Sequence, residues 1–258
     1  MSAMLLLFDD GGFNPRSLFA AGEQGIWLDP SDFSALYQDA AGTTPVTAVG
    51  QPVGKILDKS GRGNHATQST GASRPTLQQD SNGLYYLRFD GTDDGMATPS
   101  INFTGTDKMT VWAGVRKLSD AATGILAELS TNSDSTNGTF ALAASVVGNN
   151  YYAQSRGTVR STRDATGYVA PHSAVLVAEA KISTDILRLH VNNAAPLSSA
   201  TDQGTGTYGN YPLYIGRRNN ASLPFNGRIY QLIVRGAASN AGQIAAGEAW
   251  VNGKTRAF

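Results

Sequence analysis

An aspartate- and glycine-rich segment is the first place in this sequence where residue types and spacing could bind an ion. Residues 90–95 read Asp-Gly-Thr-Asp-Asp-Gly, with oxygen-bearing side chains at relative positions 1, 3 and 5 and glycine at position 6, as in a calcium loop. An EF-hand also needs a bidentate glutamate at position 12, where Ile101 stands. The segment is therefore either a tight turn between strands or a different calcium site that uses Asp90, Asp93 or Asp94. We expect no obligatory cofactor.

Tyrosines near asparagine, glycine and arginine offer a second kind of chemistry, because aromatic rings can pack on sugars while polar neighbours bind hydroxyl groups. The candidate ligand-binding residues are Tyr151, Tyr152, Tyr208 and Tyr211. Each of them could instead fill the core, because alternate residues of a strand point to opposite faces of the sheet. The sequence leaves both alternatives open.

Patterns that would indicate catalysis are weak. Two glycine-rich stretches, 61–66 and 204–209, have the spacing of a dinucleotide fingerprint, but neither opens a helix, so no nucleotide site is expected. None of the four glutamates has another acidic residue within two positions, unlike the closely spaced carboxylates of sandwich glucanases. A carboxylate pair assembled from distant strands stays open. The G-x-S-x-G nucleophile motif is also absent, and we expect a protein that is not an enzyme.

Short strands must position these residues. From residue 84 onward apolar and polar residues alternate, and strand candidates recur about every 10–15 residues between glycine, asparagine or proline, as in a sandwich or barrel. The predicted strands include 26–28, 125–129, 140–145, 151–155, 159–162, 175–182, 186–192, 213–217 and 228–235. Asn192-Asn193 predicts a tight hairpin turn. One helix is predicted over 239–252, with Ser239 as its N-cap and Gly253 as its end.

The composition agrees with a turn-rich β protein. Of 258 residues, 29 are glycine and 16% are charged, and only four of the 20 acidic residues are glutamate. The formal net charge is zero, so we expect no nucleic-acid partner. There is no cysteine, which excludes disulfides and thiolate metal sites. The apolar run at 4–8 is too short for an export signal or a membrane span, so we expect no membrane insertion.

The chain has no linker or internal repeat that would divide it. Turn signals crowd residues 1–25, which we interpret as an N-terminal arm that is either docked or flexible. The regular pattern that follows predicts one domain over residues 26–258.

Five segments in order resemble the laminin-G-like, concanavalin A-like jelly roll. They are 58–67 (Asp-Lys-Ser-Gly-Arg-Gly-Asn-His-Ala-Thr), 87–94 (Leu-Arg-Phe-Asp-Gly-Thr-Asp-Asp), 109–116 (Met-Thr-Val-Trp-Ala-Gly-Val-Arg), 187–193 (Leu-Arg-Leu-His-Val-Asn-Asn), and 213–216 with 225–231. The resemblance implies an all-β, concanavalin A-like jelly-roll β-sandwich with one short C-terminal helix. Gln231 replaces the family's usual closing acid and Asn193 its hairpin glycine. The implied fold tolerates these changes, whereas they weaken the case for a calcium or sugar site inferred from the family.

Residues 22–60, with Arg74-Pro75, are similar to virion proteins of tailed bacteriophages, especially tail-fibre and other structural proteins. The resemblance implies a virion component assembled in the bacterial host cytoplasm, part of the tail or host-recognition apparatus. Its arm would bind other virion proteins, its loops a host-surface glycan or protein, and it would form a homo-oligomer, with a trimer favoured. The alternatives are capsid decoration or a tail or baseplate scaffold without a ligand, and a polysaccharide depolymerase.

Overall fold

A computed structural model describes residues 12–144 and 148–258. Its strands are β1 (Gly25–Leu28), β2 (Leu36–Tyr37), β3 (Lys55–Ile56), β4 (Ala66–Thr67), β5 (Thr76–Gln79), β6 (Tyr85–Asp90), β7 (Met96–Asn102), β8 (Lys108–Lys117), β9 (Gly124–Leu129), β10 (Thr139–Ala144), β11 (Asn150–Arg156), β12 (Arg160–Thr166), β13 (His172–Lys181), β14 (Ile186–Val191), β15 (Leu197–Ser199), β16 (Asn210–Ile215) and β17 (Asn226–Arg235). One α-helix, α1 (Ala241–Thr255), follows them, and short 3-10 turns lie at Pro15–Phe19, Phe33–Ala35, Gly71–Ser73 and Ile182–Thr184. The predicted all-β fold with one C-terminal helix is confirmed.

The strands form two antiparallel sheets. Sheet A has the order β15-β14-β13-β8-β17-β6-β5, and β1 pairs with β17. Sheet B has the order β12-β11-β10-β9-β16-β7-β4-β3-β2. Sequence neighbours often lie in different sheets, as in a jelly roll, so residues distant in the chain meet on one face.

The main core lies between the sheets and follows the alternation of the strands. In β14, Leu187, Leu189 and Val191 are buried, while the residues between them are partly exposed.

The hairpin turn predicted at Asn192-Asn193 is confirmed, since both residues have the positive φ, 55° and 58°, that such a turn requires.

A second apolar cluster covers the outer face of sheet A, where α1 packs on the sheet around Trp112. The N-cap lies one residue later than predicted, because Asn240 forms the capping box with Gln243 and Ser239 does not cap. Gly253 does not end the helix, which continues to Thr255, and Arg256 takes the left-handed conformation that closes it. Among the described residues, no helix is long and apolar enough to cross a membrane.

The N-terminal segment reaches the same cluster. Leu18 and Phe19, in the 3-10 turn Pro15–Phe19, are buried against sheet A, and Asn14 caps that turn by accepting a hydrogen bond from Arg16 N at 2.9 Å. Residues 1–11 of the predicted arm, and residue 145 at the end of a predicted strand, lie outside the described residues. The division of the chain at residue 25 stays a prediction.

Candidate functional site

A groove of about 750 Å³ lies on the outer face of sheet B, a size within the range of ~300–1,000 Å³ typical of ligand pockets. It runs across β9 to β12, and we call it the sheet B groove. Its lining residues are Thr123, Ile125, Asp134, Ala141, Ala143, Asn150, Tyr152, Arg160, Thr162, Asp164, Thr166, Arg218 and Leu223.

The floor of the groove is a cross-strand row of side chains of unequal size. Ala143 pairs with Ile125 on one side and Tyr152 on the other, and Tyr152 pairs with Asp164 on the outermost strand. Directly opposed residues point to the same face of a sheet. The small Ala143 therefore leaves a depression between larger neighbours, and one face of the half-buried Tyr152 ring can border it.

The Tyr152 ring is held in place by its hydroxyl group. Tyr152 Oη donates to Gln154 Oε1 at 2.6 Å, and Gln154 Nε2 donates to Ser133 O at 2.7 Å. Burial raises the pKa of Tyr152 to about 12, so its hydroxyl stays protonated at neutral pH. A fixed, neutral aromatic ring in a groove suits packing against an apolar sugar face.

A chain of ion pairs closes one end of the groove. Arg218 Nε lies 2.9 Å from Glu128 Oε2, and Arg218 Nη1 lies 2.8 Å from Asp134 Oδ2. The other oxygen of Asp134 accepts from Arg160 Nη1 at 2.7 Å. The chain runs outward from the fully buried Glu128 to Arg160, which is 46% exposed at the rim.

This arrangement sets the charge state of the groove. Burial alone would raise the pKa of Asp134, but the hydrogen bonds and charges of Arg218 and Arg160 outweigh it and lower the pKa. Burial likewise opposes the charge of Arg218, yet Glu128 and Asp134 raise its pKa above the ordinary value. Asp134 and Arg218 are therefore ionised at neutral pH, and each groove arginine is already paired with a carboxylate.

The opposite wall presents hydrogen-bonding groups. Asn150 Nδ2 donates to Asp164 Oδ1 at 2.7 Å, and Thr162 and Thr166 lie on the same face of β12 as Asp164. Carboxylate, amide and hydroxyl groups around an aromatic ring form a set that can bind sugar hydroxyls.

Two of the predicted ligand-binding tyrosines are in the core instead. Tyr151 and Tyr208 are both 0% exposed. Tyr151 follows the strand alternation opposite to Tyr152 and hydrogen-bonds to His172, while Tyr208 Oη lies 2.7 Å from Ser155 Oγ. Neither ring has a face available to a ligand, so stacking of a sugar on these two residues is contradicted.

The other two candidates differ from each other. Tyr152 lines the groove, whereas Tyr211 lies on β16 outside its lining, with its hydroxyl donating to Asn137 O at 3.3 Å. Tyr211 is partly buried against the main core and covers Gly209 closely.

The predicted calcium candidates Asp90, Asp93 and Asp94 do meet in the turn between β6 and β7, with carboxylate oxygens within 4.8 Å of one another. Asp90 Oδ1 accepts from the backbone of Thr92 at 2.8 Å, and Asp90 N donates to Asp94 Oδ2 at 3.0 Å. Burial, followed by the charge of Asp90, raises the pKa of Asp94 to about 7. The cluster has the ligand atoms of a cation site and equally the hydrogen bonds of a self-contained turn.

Sequence reasoning did not single out the charged groups of the groove. Glu128 lies on β9, Asp134 in the loop before β10, Asp164 on β12 and Arg218 in the loop after β16. Their separation along the chain hid their proximity. The polar alternation of Arg160, Thr162, Asp164 and Thr166 was the one local signal that this strand has a polar outer face.

Comparisons with known proteins place the fold. No protein-family model matches the sequence, and no curated protein sequence is similar to it. A solved arabinofuranosidase in complex with arabinofuranosyl-alpha-1,2-xylobiose superimposes with a TM-score of 0.65 at 12% identity over 94% of this chain and 65% of its own.

Two further solved domains are also similar in structure. Domain 4 of an extracellular arabinanase from Geobacillus stearothermophilus, in complex with arabinotriose, gives a TM-score of 0.55 at 14% identity over 77% of this chain and 91% of its own. The binding domain of botulinum neurotoxin serotype D gives 0.57 at 10% identity over 77% of this chain, which spans 48% of that structure. At these identities the likeness establishes the fold, a lectin-like jelly-roll β-sandwich.

Proposed function

We propose that this protein is a lectin-like carbohydrate-binding protein that binds an oligosaccharide in the sheet B groove. The observation that carries the proposal is the fixed Tyr152 ring between the depression at Ala143 and the carboxylate of Asp164. A sugar ring could pack on the aromatic face while its hydroxyls bind Asp164 and Asn150.

The charges of the groove favour an uncharged saccharide. Arg160 and Arg218 are each paired with a carboxylate, so an acidic sugar would have to compete with Asp134 for them. Similar domains are consistent with this ligand class, since the arabinanase domain was solved with arabinotriose.

We further propose that the groove binds without hydrolysing. Glycoside hydrolysis needs a carboxylic acid that is protonated at working pH beside a second carboxylate. Glu128 is buried with its oxygens bound to Arg218 and to Ser133 N, and the arginines lower the pKa of Asp134. The oxygens of Glu128 are thus occupied by protein donors, and the lowered pKa makes Asp134 a poor proton donor. Reducing-sugar release that is lost in Asp164→Asn or Asp134→Asn would overturn this part of the proposal.

A glycan array followed by calorimetry with the best neutral oligosaccharide tests the binding proposal. Tyr152→Ala should abolish binding, whereas Tyr152→Phe, which keeps the ring and loses only the hydroxyl, should retain most of it. Asp164→Asn should weaken binding while preserving the contact with Asn150. Absence of any hit, or binding that both Tyr152→Ala and Asp164→Asn leave intact, would refute a saccharide site in this groove.

In its biological setting, we propose that the protein belongs to the virion of a tailed bacteriophage, in or near the host-recognition apparatus. The support is the ordered motif resemblance over 58–231 and the resemblance of residues 22–60. Residues 1–25 would attach the domain to other virion proteins, and a homotrimer would present several grooves to a host surface at once.

Purified particles of the parent phage test this setting. Mass spectrometry should detect the chain in them, an excess of the free protein should slow adsorption to host cells, and light scattering should give the mass of a trimer. A chain absent from the particles would refute the virion assignment without affecting the groove. A monomer at high concentration would refute only the trimer.

A purely structural role, in capsid decoration or as a tail or baseplate scaffold, is the second candidate. The complete pairing of the groove arginines favours it, because self-neutralised charges stabilise a surface without needing a ligand. Tight association with particles, combined with an array without hits, would select this function over glycan recognition.

A further inference from the structure

A small polar cavity lies on the other side of the molecule, on the outer face of sheet A beside the end of α1. Its volume is about 250 Å³, and we call it the arginine cavity. Its lining residues are Asp80, Ser81, Asn82, Arg116, Ser173, Arg228, Tyr230, Thr255 and Arg256. Three arginines and one aspartate make it strongly basic.

The register of sheet A builds this positive charge. Arg228 on β17 is directly opposite Arg116 on β8 and directly opposite Arg88 on β6, so three arginines form one row across adjacent strands. Ser173 on β13 continues the row beside Arg116. Like charges directly opposite each other destabilise a sheet, so this row has an energetic cost that the fold itself does not explain.

Partners within the protein hold the arginines without neutralising them. Arg116 Nη1 donates to Ser173 Oγ at 2.9 Å, and Arg228 Nη1 donates to Tyr230 Oη at 3.4 Å while its guanidinium lies 4.6 Å from the centre of the Tyr86 ring. Among the described residues, no carboxylate forms an ion pair with any of the three cavity arginines. Each guanidinium has five N–H donors, so most remain for a ligand.

Asp80, the acidic residue among the cavity lining, forms no direct ion pair with the arginines, although its charge helps to raise the pKa of Arg228. Asp80 Oδ1 accepts from the backbone of Asn82 at 2.9 Å and of Leu84 at 3.0 Å, and Tyr230 Oη donates to Asp80 Oδ2 at 3.1 Å. The carboxylate thus stabilises its own turn. The end of α1 carries a partial negative charge, but Arg256 stands at that end and supplies a cation.

We propose that the arginine cavity is a binding site for a tetrahedral oxyanion, phosphate or sulfate. The cavity volume of about 250 Å³ is smaller than the ~300 Å³ lower bound of ordinary ligand pockets, so it admits a small oxyanion more readily than a large ligand. Arginine forks match the oxygens of such ions, and the hydroxyls of Ser173 and Tyr230 add polar partners. A bound oxyanion would offset part of the positive charge of the arginine row.

Calorimetry with inorganic phosphate, inorganic sulfate and glucose 6-phosphate tests the proposal, with chloride at matched ionic strength as the reference. Phosphate or sulfate should bind with a stoichiometry of one per chain. Arg228→Gln and Arg256→Gln should each weaken binding about 10- to 100-fold, the range for a lost hydrogen bond between charged groups. Arg256 is exposed at the helix end, so its substitution tests the site even where Arg228→Gln disturbs the packing of Tyr86.

Matched controls separate this site from the surface and from the groove. Arg188→Gln removes an exposed arginine from the same sheet outside the cavity and should leave phosphate binding unchanged. Tyr152→Ala should also leave it unchanged, so failure of the saccharide proposal does not affect this one. If glucose 6-phosphate binds more tightly than phosphate, the natural ligand is a phosphorylated saccharide. If phosphate binds more tightly, the natural ligand is the free ion. No binding, or binding equal in all variants, would overturn the site.

Discussion

Arg218 and Glu128 form a buried ion pair beneath the sheet B groove, with Arg218 Nε 3.0 Å from Glu128 Oε1 and 2.9 Å from Glu128 Oε2. The two residues are 90 positions apart, one in the loop after β16 and the other on β9. Their pairing ties that loop to the sheet. It also positions Asp134, which accepts from Arg218 and Arg160 at the groove end.

Glu128→Gln should therefore destabilise the protein by about 3 kcal/mol, because removing one partner leaves a largely buried charge without its main counterion. The low end of the usual range is expected, since Asp134 still contacts Arg218. Urea unfolding followed by tryptophan fluorescence measures the change. The control Arg160→Gln breaks an exposed pair and should cost at most about 1 kcal/mol. Equal losses in the two variants would contradict a buried role for Glu128.

Helix α1 offers two glycines whose replacement by alanine should act in opposite directions. A Cβ at Gly247 would lie 2.6 Å from Trp112 Nε1, whereas one at Gly253 meets nothing within 4 Å. Gly253→Ala should stabilise the protein by about 1 kcal/mol through helix propensity. Gly247→Ala should instead destabilise it by about 1–3 kcal/mol, because the helix must move off the sheet. Thermal unfolding measures both, and stabilisation by Gly247→Ala would refute the close packing.

Tyr208 and Tyr152 lie in different environments, so replacing each with alanine should have opposite effects on stability and on saccharide binding. Tyr208→Ala should cost about 3–5 kcal/mol, because the ring is fully buried in the core. Tyr152→Ala should cost about 1 kcal/mol, because its ring is partly exposed, yet it should be the variant that loses saccharide binding. Urea unfolding and calorimetry on the same two proteins check this. A folded Tyr208→Ala protein that has lost saccharide binding while Tyr152→Ala retains it would reverse the assignment.

More of the fold than of the site could be predicted from the sequence. The strands follow local patterns, whereas the site is formed by residues that are distant along the chain. Strand alternation, such as that of Leu187, Leu189 and Val191, is local, and turn residues such as Asn192 mark the ends. Strands were harder to predict where a proline interrupts the alternation. β7 contains Pro99, and β16 contains Pro212 and begins before the predicted strand 213–217.

The residues of the site could not be predicted from any single segment, because strand pairing decides which side chains face outward. Tyr151 and Tyr152 are adjacent and chemically identical, and only the pairing of β11 decides that Tyr152 faces out and Tyr151 faces in. A shift of one residue in register would exchange them. The Arg88–Arg228–Arg116 row likewise arises only from the order β6-β17-β8, which the sequence does not state.

The carboxylate cluster after β6 predicts a pH dependence of stability. Burial and the charge of Asp90 raise the pKa of Asp94 to about 7, above its ordinary value of 3.8. Between these two values the folded protein binds more protons than the unfolded chain, so the free energy of unfolding falls as the pH rises. The loss of stability caused by ionising the Asp94 carboxylate is complete above about pH 7 and absent below about pH 4.

Asp94→Asn should remove this cost, so the variant should be more stable than the wild type at mildly alkaline pH, by about 2 kcal/mol once solvent screening of the carboxylate is allowed for, and should match it at acid pH. Urea unfolding across the pH range measures the difference. Asp39→Asn is a control in which the effect should have the opposite sign. Hydrogen bonds from Thr43 and Thr44 lower the pKa of Asp39. This variant should therefore be less stable than the wild type at neutral pH and match it only in acid. EGTA should change neither curve. A calcium-induced rise in wild-type stability that Asp94→Asn abolishes would instead show that Asp90, Asp93 and Asp94 bind calcium, whose charge would lower the pKa of Asp94 and remove the pH dependence.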